Sequence, residues 1–94
     1  MGWTIQTPKR VKKHLERLPV EVQAAFALLA KELEALGPYR SNWSHYSKLR
    51  GTKSVFHCHI VSGRPTYVAV WEVIDKTIFL AEVLYVGTHE GAPY

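Results

Sequence analysis

Every helical signal in this 94-residue chain lies before Pro38, and every long strand signal lies after it. Thr7-Pro8 reads as an N-cap followed by proline at the first helical position. Val11, Leu15 and Leu18 then recur at helical spacing, predicting a first helix over about Pro8 to Leu18. Pro19 restarts the chain, and Val22, Phe26, Leu29, Leu33 and Leu36 form a second apolar stripe closed by Gly37-Pro38. Two helices joined so tightly are expected to pack as a hairpin. A short edge strand is expected before them, from Trp3 to Gln6.

The second half changes period. After an irregular stretch, Tyr39 to Tyr46, strands are predicted over Tyr46 to Arg50, Val55 to Val61, Thr66 to Ile74 and Ile78 to Val86, with Gly87 releasing a tail. The turns between them are short, which implies an antiparallel meander. Segregated helices and strands make the expected fold class α+β. In it, an N-terminal helical hairpin covers one face of a small, mainly antiparallel sheet, and residues 1–94 form a single domain. The other face is left for polar strand residues.

Charge is distributed unevenly. Between Ala35 and Trp71 there is no Asp or Glu, but five Lys/Arg and three histidines. The formal charge is +4 and the isoelectric point is about 9.4, so an anionic partner is favoured. A lone cysteine, Cys58, excludes an internal disulfide framework and fits a reducing compartment. No secretory signal or membrane-spanning run is evident, so a cytoplasmic location with no membrane partner is expected.

The run Phe56-His57-Cys58-His59-Ile60 alternates apolar and polar. On a strand, Phe56, Cys58 and Ile60 turn inward while His57 and His59 share the other face, with Cα atoms about 6.6 Å apart. One phosphodiester could touch both rings. Cutting RNA without a metal needs a base for the 2′-hydroxyl, cations for the phosphorane and an acid for the departing 5′-oxygen. Imidazoles serve as base and acid. The plainer alternative makes both histidines solvent-facing strand residues. A zinc site is not expected, because no Cys or Asp at ligand spacing completes one, and no cofactor is implied.

Other candidates surround this pair. Arg64, in the turn after the histidine strand, suits bidentate phosphate contact. Lys48, Arg50 and Lys53 could track a phosphate backbone, or form a solvated basic loop. Tyr39, Trp43 and Tyr46 interleave with Arg40 and Lys48, a pattern that suits single-stranded RNA but also suits a cover for the helices. Lys9, Arg10, Lys12, Lys13 and Arg17 give the first helix a basic face, either solvated or turned to ribosomal RNA. The tail holds His89, Glu90 and Tyr94 among two glycines and a proline. There Tyr94 could stack on a base or dock into the core, and Glu90 could orient His89.

Taken together, the chain resembles the RelE/ParE toxin superfamily, and within it the RelE/HigB-like mRNA interferases of toxin–antitoxin systems. The resemblance spans the whole chain. It rests on the two-helix N-terminal half, Lys48-Leu49-Arg50-Gly51, Phe56-His57-Cys58-His59, Val70-Trp71-Glu72-Val73 and Tyr85-Val86-Gly87-Thr88-His89 with a closing Tyr94. By this resemblance His57 and His59 fall on a basic-x-basic pair, His89 on the basic residue after the last strand's glycine, and Tyr94 on the C-terminal catalytic tyrosine. The family's arginine on the following strand falls on Val68, leaving Arg64 as the candidate substitute. The resemblance implies a metal-independent endoribonuclease that cleaves mRNA on the ribosome by histidine acid–base catalysis and is neutralised by a cognate antitoxin. Two alternatives stay open: a ParE-like DNA gyrase inhibitor, and a non-catalytic relative that binds RNA or antitoxin.

Overall fold

A computed structural model describes residues 2–94. The elements are β1 (Thr4–Gln6), α1 (Lys9–Glu16), α2 (Val20–Leu36), β2 (Ser44–Lys48), β3 (Val55–Val61), β4 (Tyr67–Asp75) and β5 (Leu80–Thr88). They build one five-stranded sheet in the order β1-β5-β4-β3-β2. β2 to β5 form the expected antiparallel meander. β1 returns along the far edge and pairs parallel to β5, so the sheet is mixed.

Both helices sit on one sheet face, α1 against β5 and α2 against β3 and β1. Their inward residues Val11, Phe26, Leu29 and Leu33 meet Phe56, Cys58, Ala69, Trp71, Val73, Val83 and Val86 in a single apolar core. Trp71 is fully buried and donates its indole N–H to the Pro38 carbonyl at 3.1 Å. That bond ties the end of α2 to the central strand and satisfies the polar atom of the largest core side chain. Cys58 lies in this core, and burial pushes its thiol pKa up to about 12, making it an inert apolar filler.

Several boundaries differ from the sequence reading. Pro8, not Thr7, caps α1, and no side chain bonds to the first turn. Leu18 lies past the end of α1 but still packs on the core. β2 begins at Ser44 and ends at Lys48, two residues earlier than expected. The reason lies in Tyr46, whose ring stacks on Phe56 and Trp71 and draws the preceding residues into the sheet. Ile78 and Phe79 belong to the β4–β5 turn instead of a strand. There the Asp75 carboxylate accepts the Thr77 N–H at 2.8 Å, and Phe79 takes φ 54° beneath the edge of Trp3. β5 is correspondingly displaced and runs through Gly87 to Thr88, so Gly87 is a strand residue and not the point of release.

Ile60 is only half buried, because a register irregularity between His59 and Val61 interrupts the alternation. The face opposite the helices is also less bare than expected. Val68 and Val70, directly across from His59 and His57, are at most 1% exposed. β4 is therefore sealed on both faces, as befits a central strand.

Candidate functional site

The β3 alternation places its residues as the sequence requires: Phe56 and Cys58 are buried under the helices, while His57 and His59 point to the opposite face. Their ring centroids are 6.5 Å apart. Two further histidines join them. His89, in the turn after β5, lies edge-on to His59 at 5.4 Å. His45 of β2 stacks on His59 at 4.1 Å with the planes 18° apart. The tail folds back so that Tyr94 sits 4.7 Å from His57 and 6.0 Å from His89. Tyr94 thus docks on the histidines, not in the helical core.

His57 is clamped. Ser47 Oγ lies 2.9 Å from its Nε2 and the Tyr94 hydroxyl 3.2 Å from its Nδ1. A hydroxyl donates or accepts as required, so both bonds persist whether the imidazole is neutral or charged. The rings of His59 and His89, by contrast, make no hydrogen bond to any described residue. Burial foremost, then the neighbouring charges of His89 and His45, holds the His57 pKa below its ordinary value. The His59 pKa is lowered by burial and by His45, His89 and His57. With like charges and partial desolvation acting together, both favour the neutral, proton-accepting form.

Two clefts flank the cluster. One, of about 580 Å³, is lined by His59, Arg64, Thr66, His89 and Glu90 with the backbone of the β3–β4 turn. That turn is braced by Thr66, whose hydroxyl donates to the Gly63 carbonyl at 2.9 Å. The Thr66 carbonyl in turn accepts the His89 N–H at 2.8 Å. Arg64 and His89 are thereby held on one backbone frame. The Arg64 guanidinium makes no hydrogen bond or ion pair with a described residue. The second cleft, of about 560 Å³, is lined by Ser47, Lys48, Leu49, Arg50, His57 and Tyr94.

Some candidates lie apart. Trp43 lines neither cleft: it packs against the core and donates its indole N–H to Glu32 at 2.9 Å. Tyr39 and Tyr46 both pack on Phe56, so the aromatic and basic interleaving serves mainly as a cover for the core. Arg40 pairs with Glu32 at 3.3 Å, the one ion pair among the described residues. Hydrogen bonds from Asn42 and Trp43, with Arg40, keep the Glu32 pKa low. Lys53 is exposed outside both clefts, and Lys48 donates to the Thr52 carbonyl. No hydrogen bond joins Glu90 to His89 among the described residues. Nor is any group of three or more His, Cys, Asp or Glu side chains among them arranged to hold a metal ion.

His45 and Ser47 are the residues that sequence reasoning missed. Both enter through cross-strand register, Ser44 facing His59 and Ser47 facing His57 with a bulge between. The only sequence signal was a third histidine in the acid-free stretch.

What these features define is a small α+β domain with a histidine- and arginine-lined face opposite its helices. Among solved structures, the chain is similar to a mutant of the Escherichia coli toxin RelE in the free state. The identity is 23%, covering 98% of this chain and 88% of that one, with a TM-score of 0.71. It is likewise similar to the archaeal RelE–RelB complex from Pyrococcus horikoshii OT3, at 19% identity over 98% of this chain and 100% of that one, with a TM-score of 0.70. The chain therefore has the RelE fold, as the sequence resemblance implied. No family model and no curated protein matches the sequence. No helix among the described residues is long and apolar enough to cross a membrane.

Proposed function

We propose that this chain is the toxin of a toxin–antitoxin pair, an endoribonuclease that cuts mRNA by imidazole acid–base catalysis. The observation that carries this reading is the convergence of His59, His89 and Arg64 on one open cleft, with neither ring bonded to protein. In this reading His59 accepts the proton of a 2′-hydroxyl. The 2′-oxygen then forms a bond to phosphorus as the bond from phosphorus to the 5′-oxygen breaks. His89 donates a proton to the departing 5′-oxygen, which leaves a 2′,3′-cyclic phosphate and a 5′-hydroxyl.

Arg64 neutralises the phosphorane, standing in for the arginine that Val68 cannot supply. Lys48 and Arg50 hold flanking phosphates across the second cleft. His57, fixed by Ser47 and Tyr94, sets the position of the tail and offers Tyr94 as a stacking surface for a base. The archaeal neighbour, solved as a RelE–RelB complex, supports a protein antitoxin as partner; mRNA on the ribosome is the substrate this reading assigns to the cleft.

The test is expression of the chain alone in bacterial cells, with genome-wide mapping of RNA 5′ ends. Wild type should arrest growth and create new ends within reading frames, and His59→Gln and His89→Gln should each abolish them. Growth arrest with intact mRNA and DNA-damage signalling would overturn the nuclease reading in favour of gyrase inhibition. Unchanged cleavage by both variants would remove the residue assignment.

A further inference from the structure

β2 carries a local defect at the point where it meets the histidine strand. His45 has φ 56°, in the left-handed region that residues other than Gly seldom adopt, His being, with Asn and Asp, among the side chains found there more often. It stands between the Ser44–His59 and Ser47–His57 pairs as the extra residue of a bulge. Bulges re-aim a side chain, and a left-handed non-glycine residue persists only where its surroundings over-determine it. Here the bulge aims the imidazole flat onto His59, centroid to centroid at 4.1 Å. Ser44 Oγ, 2.8 Å from His45 Nδ1, fixes the rotation of the ring.

Titratable neighbours surround His59 on several sides. On its own strand His57 lies at 6.5 Å, and after β5 His89 lies at 5.4 Å, with Tyr94 bridging between those two. The neighbour on β4 is the buried, uncharged Val68. Arg64 and Glu90 border the cleft, and no carboxylate is bonded to any of the four rings. Two protons on rings stacked this closely would repel one another with no counter-charge in contact.

We propose that His45 is a positioning residue for His59, laid face to face on it so that positive charge on the His45 ring disfavours a resident proton on His59. The stack also covers one face of the His59 ring, which still lines the cleft. After burial, His45 is the largest contributor to the lowered pKa of His59, in keeping with the geometry. The catalytic consequence, a His59 that rests unprotonated before RNA binds, rests on the nuclease reading above. The coupling itself does not.

It is tested by following the His59 ring resonance through a pH titration in the purified chain, without RNA, in wild type, His45→Asn and His45→Lys. Asn tolerates positive φ and removes the charge, while Lys removes the ring and keeps a permanent charge. Both lose the same stacking surface, so burial alone would move them together. The expected result is a split: the His59 midpoint rises in His45→Asn and does not rise in His45→Lys. His45→Gly, which meets no φ penalty, must behave as Asn does and stands in for it if that variant misfolds. Any other pattern, including equal shifts or none, overturns the proposal. RNA cleavage would be scored separately, so loss of the nuclease reading would leave this result intact.

Discussion

Replacing Arg64 by Gln separates phosphate binding from folding. The guanidinium lines the same cleft as His59 and His89, is exposed, and makes no bond to a described residue. Its removal should therefore leave stability within about 0.5 kcal/mol of wild type. Against RNA the cost differs. A hydrogen bond to a charged group contributes about 1.5–3 kcal/mol, and the openness of this cleft to solvent argues for the lower end. That corresponds to roughly a tenfold loss of affinity.

Salt provides an independent check. Each phosphate contact on a single strand adds about 0.7 to the slope of log affinity against log salt. Losing one such contact should shrink the wild-type advantage by a factor of about 2.6 between roughly 50 and 200 mM salt. The assay is fluorescence anisotropy with a short RNA whose 2′-oxygens are methylated, so that binding is read without cleavage. An unchanged affinity, or a loss that does not depend on salt, would refute the assignment of Arg64 to a phosphate.

Further expectations concern the histidines, the core and the tail. The folded-state pKa values of His57 and His59 lie below the ordinary 6.5, so the unfolded chain binds more protons in the window beneath that value. Stability should be fully present above pH 6.5 and fall as the pH drops through the window; melting temperatures from about pH 7.5 to about pH 5 read this, and His57→Gln/His59→Gln should flatten the slope. Trp71→Ala removes the largest core side chain and its bond to Pro38, which should cost about 3–5 kcal/mol in a denaturant titration. Tyr94→Phe loses only the hydroxyl on His57 Nδ1. It should leave the fold intact and slow cleavage by less than about tenfold, the effect expected of a weakened exposed hydrogen bond.

The architecture was readable because its periods are clean. The 3.6-residue stripe of α2 and the two-residue alternation of Phe56 to His59 each demand one buried face, and the helices and sheet satisfy both demands at a shared core. Less could be read where tertiary packing overrode local pattern. Phe79 reads as a strand residue, yet the edge of Trp3 holds it in the turn with positive φ. Tyr46 and Trp43 could be read as an RNA platform or as a cover for the helices; the packing decides for the cover, with Tyr46 stacked on Phe56 and Trp71, and Trp43 set against the core and bonded to Glu32.

The site divides along the same line. His57 and His59 are neighbours in sequence and were visible as a pair. His45 and Ser47 reach them only through the register of β2 on β3, which a single bulged residue decides. Arg64 was identifiable as a turn arginine, but its sharing a cleft with His89 depends on the Thr66 contacts that join two distant turns.

The most direct measurement is the chemistry of the RNA ends produced by the chain on translating ribosomes. Attack by a 2′-oxygen with proton transfer through His59 and His89 predicts 5′-hydroxyl and 2′,3′-cyclic phosphate ends, absent with His59→Gln. Ends bearing a 5′-phosphate, or cyclic-phosphate ends that persist undiminished with His59→Gln, would contradict imidazole catalysis at this site.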